Sequence, residues 1–104
     1  MKDGILLYYP DGKDILGRIE FDEREIVIYK KSKALVAWFG IFGDWFSKGK
    51  EIMRFSTKRI TGGEREGYNK YRLTLKKTSY RIQFDHPERC IPVFDEIVRQ
   101  KSEQ

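Results

Sequence analysis

Two stretches decide the fold of this chain: Tyr71-Arg72-Leu73-Thr74-Leu75 and Tyr80-Arg81-Ile82-Gln83-Phe84. In each, a large apolar side chain recurs at every second residue and the positions between are polar or basic. Side chains on an extended chain alternate between the two faces of a sheet, so both runs read as strands with one apolar face. They are joined across Lys77-Thr78-Ser79 as an antiparallel hairpin.

The same period extends toward the N-terminus. Ile15, Gly17, Ile19 and Phe21 alternate with Leu16, Arg18, Glu20 and Asp22. After the polar break Asp22-Glu23-Arg24, Ile26 and Ile28 face inward, with Val27 and Tyr29 outward. That is a second hairpin. A first strand is expected at Ile5-Leu6-Leu7-Tyr8-Tyr9, ended by Pro10-Asp11-Gly12, where Pro fixes φ and Gly accepts a positive φ. Glu51 to Ser56 alternates once more, Ile60 follows the basic step Lys58-Arg59, and Thr61-Gly62-Gly63-Glu64-Arg65-Glu66-Gly67 reads as a flexible loop.

Beyond Asp85 the period changes. Ile91, Phe94, Ile97 and Val98 recur at the spacing of one helical stripe. Asp85 with Glu88 forms a capping-box pattern, and Pro87 suits a first helical turn. Pro92 either kinks this helix or marks its true start. The chain is therefore expected to be one domain over residues 1–104, with strands over about 5–84, a C-terminal helix over about 87–100 and a frayed tail at 101–104.

Composition agrees with a folded, non-secreted chain. At 104 residues there is room for one core, and 39% hydrophobic with 14% aromatic residues supplies it. Cys90 is the single cysteine and forms no internal disulfide, which favours the cytoplasm. The start lacks the uninterrupted apolar stretch of a signal peptide. The apolar run from Ala34 stops at Asp44, short of the ~20 residues a membrane helix needs. Charge is segregated: residues 1–29 hold four basic and seven acidic side chains, residues 30–81 fourteen and four, and residues 82–104 three and five. A basic middle can attract phosphate-bearing partners, although outward Lys and Arg on amphipathic strands also serve solubility alone.

The order of elements resembles the pleckstrin-homology-like (PH-like) superfold, and within it the GRAM and bacterial PH-like domains. The resembling residues are Gly17-Arg18-Ile19-Glu20-Phe21, Ile26-Val27-Ile28-Tyr29, Ile52-Met53-Arg54-Phe55 and Lys58-Arg59-Ile60, followed by the two opening runs and the helix bearing Phe94, Ile97 and Val98. The resemblance implies a mainly β fold with one C-terminal helix: a barrel of two antiparallel sheets capped by that helix. It also implies a non-enzymatic module that binds lipid headgroups, peptides or other domains. Phosphoinositide-binding members carry spaced Lys and Arg at the first hairpin; the turn matched to it here is Asp22-Glu23-Arg24-Glu25, which argues against specific inositol phosphate recognition there.

Catalytic chemistry finds little material. His86 is the only histidine and Cys90 stands four residues on, one helical turn away. A solvated cap histidine and a semi-buried helix cysteine account for both, and two ligands fall short of a structural zinc site. No catalytic residue, metal site or cofactor is read. Gly62-Gly63 lacks the Lys-Ser/Thr of a phosphate-binding loop.

The segment with most to say is Trp38-Phe39-Gly40-Ile41-Phe42-Gly43-Asp44-Trp45-Phe46, with Lys31, Lys33, Lys48 and Lys50 around it. Exposed, these rings form an interface patch, and Trp and Phe beside lysines also suit a membrane surface. Folded back, Leu35, Trp38, Ile41 and Phe42 are core. The binding residues expected are Trp38, Phe39, Phe42, Trp45, Phe46, Lys31, Lys33, Lys48 and Lys50. The function expected is a cytoplasmic, non-enzymatic binding or adaptor module for a protein partner or an anionic membrane surface, peripheral to the membrane in the latter case. The alternatives are a nucleic-acid-binding β-domain, with tyrosines or tryptophans stacking on bases, and a self-associating homo-oligomeric subunit.

Overall fold

The computed structural model describes residues 1–30 and 50–102. Among them lie seven strands: β1 (Lys2–Tyr8), β2 (Asp14–Phe21), β3 (Glu25–Lys30), β4 (Lys50–Ser56), β5 (Ile60–Arg65), β6 (Lys70–Leu75) and β7 (Thr78–Phe84). A short 3-10 turn, Thr57–Arg59, joins β4 to β5, and the helix α1 spans Pro87–Ser102. The strands form one curled antiparallel sheet in the order β4-β3-β2-β1-β7-β6-β5. Hydrogen bonding is continuous because β1 pairs with β2 along its whole length and with β7 over Ile5 to Tyr8. The mainly β architecture with a closing helix is the one the alternation implied.

The core is the inner face of the curl. Ile5 and Leu7, Ile19 and Phe21, Ile26 and Ile28, Tyr71 and Leu73, and Ile82 and Phe84 are all buried, two per strand at the period of two. Cys90, Ile91, Phe94, Ile97 and Val98 form the buried stripe of α1, which lays them over that face. Phe94 is the keystone. Its ring meets Phe21, Tyr71 and Phe84 edge-on at centroid distances of 5.1, 5.2 and 5.5 Å. The hydroxyl of Tyr71 donates to Asp95 at 2.7 Å, so one residue of β6 both packs under the helix and bonds its next residue. Burial pushes the Tyr71 phenol well above its ordinary range, with the Asp95 bond adding to the shift.

Four local expectations are corrected. The first strand runs from Lys2 to Tyr8, so the first hairpin of the sheet is β1–β2, and the acidic Asp22–Glu25 turn is the β2–β3 connection at the opposite edge. Residues Thr61 to Arg65 are strand β5, with a bulge between Ile60 and Gly62. Glycine stands at 63 because α1 lies close above: a Cβ there would come within 2.9 Å of both Val98 Cγ1 and Tyr71 Cε1. Val27 and Tyr29 are buried although they face away from the core. Side chains of the pairs Arg54–Glu25, Arg54–Glu51 and Arg18–Glu20 lie on that same face, where long charged side chains screen apolar surface with their stems. Finally, the β6–β7 turn is Lys76-Lys77, one position earlier than expected, with Lys76 at φ 52°.

The helix start also differs from the expected box. His86 is the cap: its carbonyl accepts the amide of Cys90 at 3.0 Å, and its own amide donates to Asp3 Oδ2 at 2.8 Å. The acceptor comes from β1, far away in sequence. Asp85 instead donates its amide to Gly4 O at 3.0 Å, while Glu88 accepts from the Tyr68 hydroxyl at 3.5 Å. Pro92 sits inside α1, which runs through it without ending.

Candidate functional site: a basic, tyrosine-lined cleft

The β1–β2, β3–β4 and β6–β7 connections leave from one edge of the sheet, as the register requires: Tyr8 pairs with Asp14 and Arg81, and Lys30 pairs with Gly17 and Lys50. The β1–β2 loop is a tight one. Gly12 N donates to Tyr9 O at 3.1 Å, Tyr9 N donates to Lys13 O at 2.8 Å, and Gly12 takes φ +92°. This is the geometry of a three-residue hairpin loop, with Pro10 opening the turn and glycine in the left-handed position. Asp11 Oδ1 accepts the amide of Lys13 at 3.0 Å and locks it.

Against this loop, on the outer face of β1, β7 and β6, lies a cleft of about 560 Å³. Its walls are Tyr8, Tyr9 and Pro10 on one side and Lys70, Arg72, Ser79 and Arg81 on the other. The strand register explains the array. Arg72 stands directly opposite Arg81, and Thr74 opposite Ser79, so outward donors line up in adjacent rows. Two like charges opposite each other on neighbouring strands repel. The repulsion is moderated from β5 and the turn after it: Glu64 pairs with Arg72, and Glu66 Oε1 lies 2.9 Å from Arg81 Nε. Lys70 has no carboxylate partner among the described residues; its Nζ lies 5.7 Å from the centroid of the Tyr8 ring. Tyr8 in turn donates to Gln83 Oε1 at 3.4 Å, and Tyr9 meets the Tyr80 ring edge-on at 5.7 Å. Burial, with Tyr80 and Asp11 nearby, pushes the Tyr9 phenol up.

Of the binding residues expected from sequence, Lys50 alone falls among the described residues. It is the exposed first residue of β4, opposite Lys30. Trp38, Phe39, Phe42, Trp45, Phe46, Lys31, Lys33 and Lys48 lie outside them. The cleft residues were not singled out in sequence. Their signal was there: Lys70, Arg72 and Arg81 occupy successive outward positions of the two clearest strands. What sequence could not supply was the loop of β1–β2 folding against them.

His86 and Cys90 do not form an activated pair. His86 Nδ1 lies 2.8 Å from Asp3 Oδ1, while Cys90 is fully buried and burial pushes its thiol up, away from thiolate. No group of three or more metal-ligating side chains occurs among the described residues. No helix among them is long and apolar enough to cross a membrane.

No family model matches this chain and no curated protein sequence matches it. Solved structures similar to it include the N-terminal PH domain of human ARAP2, at 14% identity and TM-score 0.64 over 99% of this chain and 78% of that one. Inner Membrane Complex Sub-compartment Protein 3 of Toxoplasma gondii is similar at 12% identity and TM-score 0.62, over 96% of this chain and 76% of that one. The PH domain from TgAPH is similar at 14% identity and TM-score 0.56, over 97% of this chain and 81% of that one. At such identities the likeness is one of fold, and the fold is PH-like.

Proposed function

We infer that this PH-like domain is a non-enzymatic binding module whose cleft beside the β1–β2 loop receives the phosphate-bearing groups of an anionic membrane surface. The observation that carries this reading is the Arg72–Arg81 pair, with Lys70 beside it in the same cleft. Guanidinium groups offer forked donors that match phosphate oxygens, and an anion between two repelling arginines removes the repulsion while it binds. Tyr8 and Tyr9 on the facing wall suit the depth of lipid headgroups, where amphipathic rings collect.

The surroundings add attraction. Lys13, Lys30, Lys50, Lys76 and Lys77 all stand at or beside the edge from which the three connections leave. Each basic residue near an anionic leaflet contributes about 1 kcal/mol. The segment that joins Lys30 to Lys50 carries Trp38, Trp45, Phe46 and further lysines in its sequence, a composition suited to the same surface. Two structural neighbours are PH domains and a third is named for an inner membrane complex, which agrees with this reading.

The test is co-sedimentation with phosphatidylcholine vesicles with and without phosphatidylserine. Binding is expected only with the anionic lipid. It should weaken as salt rises and fall at least tenfold in Arg72→Ala/Arg81→Ala, whose melting curve should stay close to that of the parent because both side chains are on the outer face. A single-stranded oligonucleotide is the competing ligand. Tighter binding to it than to anionic vesicles, with the same sensitivity to the double substitution, would transfer the cleft to nucleic acid.

A further inference from the structure

A second concavity, also of about 560 Å³, lies between the β2–β3 turn and α1, at the edge of the sheet opposite the cleft. Its floor is Phe21 and Ile97, both nearly buried by the core beneath them. Its apolar walls are Met1 and Val93, which are 45% and 39% exposed and rank among the large hydrophobic side chains that face solvent. Its rim is acidic: Asp22 and Glu23 on the turn, Glu96 on the helix. No Lys or Arg is among the described residues that line it.

The groove is preformed. Asp22 Oδ1 accepts the amides of Arg24 and Glu25 at 2.7 and 3.0 Å, and those bonds hold the carboxyl below the usual carboxylate range. The buried Thr57 fastens the same turn from behind. Its hydroxyl donates to Glu23 O at 2.6 Å and its amide to Arg24 O at 2.9 Å. On the helical wall Val93, Glu96 and Gln100 follow at three- and four-residue spacing along one face, and Gln100 Nε2 holds Glu96 Oε1 at 3.2 Å.

We propose that this groove docks a basic, apolar segment of a protein partner, with Leu-like side chains on Phe21, Ile97 and Val93 and Lys or Arg side chains meeting Asp22, Glu23 and Glu96. The committing observation is charge. The protein carries a net charge of +5, so a cationic segment approaches it against the mean field. At physiological salt that field is screened beyond ~8 Å, and the local sign at the groove decides. An apolar floor whose rim carries three carboxylates against a single cation, the Met1 ammonium that donates to Phe21 O at 2.8 Å, selects a partner with apolar anchors and positive charge, which is how amphipathic segments are read by grooves. This site is separate from the anionic cleft and does not depend on it.

The test uses a labelled 14-residue helical peptide of Leu and Lys in amphipathic order and a counterpart with Glu for Lys, followed by fluorescence anisotropy at physiological salt. The Leu–Lys peptide is expected to bind saturably and the Leu–Glu peptide at least tenfold more weakly. Val93→Lys/Glu96→Lys on the helix and, separately, Glu23→Lys on the opposite wall should each reduce binding at least tenfold. All three positions are exposed, and a melting curve confirms each variant is folded. Arg72→Ala/Arg81→Ala, at the cleft, should leave the affinity within about twofold, since distant sites act independently. Equal binding of both peptides, no saturable binding, or indifference to the groove substitutions overturns the proposal. Binding of the protein itself to zwitterionic vesicles, lost in Val93→Lys/Glu96→Lys, would also overturn it, assigning the groove to lipid insertion.

Discussion

Replacing Asp3 tests the way the chain ties its first strand to its last helix. The carboxylate is 1% exposed and lies at the helix start, where negative charge is favoured. It accepts the His86 amide at 2.8 Å through Oδ2 and the Gly4 amide at 3.0 Å through Oδ1, with His86 Nδ1 2.8 Å from Oδ1. Hydrogen bonds to a charged acceptor contribute about 1.5–3 kcal/mol each, and a buried amide left without a partner costs about 1–3 kcal/mol. Against this, removing the carboxylate also removes the cost of keeping a charge out of water. The balance for Asp3→Ala is a loss of about 2–4 kcal/mol, and for Asp3→Asn, which keeps an oxygen for the His86 amide, about 1–2 kcal/mol. His86→Ala should cost under about 1 kcal/mol, because its ring is 60% exposed and the amide that Asp3 holds belongs to the backbone. Urea titration followed by far-ultraviolet circular dichroism measures all three. With a slope of about 1–3 kcal/mol/M, the Ala variant should lose roughly 0.7–4 M in midpoint at unchanged slope. A loss below about 0.5 kcal/mol in Asp3→Ala, or a loss in His86→Ala as large, refutes the reasoning.

Gly17→Ala is expected to cost about 1–3 kcal/mol, since a Cβ there would stand 2.1 Å from the carbonyl oxygen of Tyr29, a backbone atom that moves only with its strand. Gly62→Ala, which meets nothing within 4 Å, should stay within about 0.5 kcal/mol, so equal costs for the two in thermal melts would contradict the strand geometry. Cys90 should resist alkylation by iodoacetamide in the native state and react once urea unfolds the chain; native labelling at the unfolded rate would place the thiol at the surface. The folded thiol and the Tyr71 phenol both titrate above their ordinary values, so folding favours their protonated forms. Their contribution is fully present below the ordinary thiol range and lost as pH rises through the shifted values, so the urea midpoint should decline on the alkaline side.

How much of this was legible in the sequence depends on whether a residue's role was set by its neighbours in the chain or by distant ones. The period-two runs of β6 and β7 and the stripe of α1 are local patterns, and they lie where they were read. Gly63 reads as part of a loop because glycine has two local meanings, freedom and close approach, and only the positions of Val98 and Tyr71 choose between them. The cap of α1 is hidden for a related reason: Asp85 and Glu88 fit the local motif, but His86 is the cap and Asp3 arrives from β1 to accept its amide. The alternation puts Val27 and Tyr29 on the outward face, and their burial follows from ion-paired side chains of β2, β3 and β4 on that face.

The two surfaces show the same division. The sequence carries its charge as acidic, basic and acidic thirds, and the fold turns that one-dimensional order into two places. The basic middle contributes Lys70, Arg72 and Arg81 to the cleft, while the acidic flanks contribute Asp22 and Glu23 from one end and Glu96 from the other to the groove. An antiparallel meander makes this separation natural. Successive connections of β1, β2 and β3 leave from opposite edges, so the β1–β2 loop beside the cleft and the β2–β3 turn beside the groove cannot share a side. A module of this build can meet an anionic surface with one edge while a cationic segment occupies the other, because the two are read by opposite charges and built from different elements. If that is so, with each ligand measured alone, the cleft substitutions should weaken vesicle binding and leave peptide affinity unchanged, the groove substitutions should do the reverse, and a substitution that moves both strongly would mean that the two edges are not separate sites.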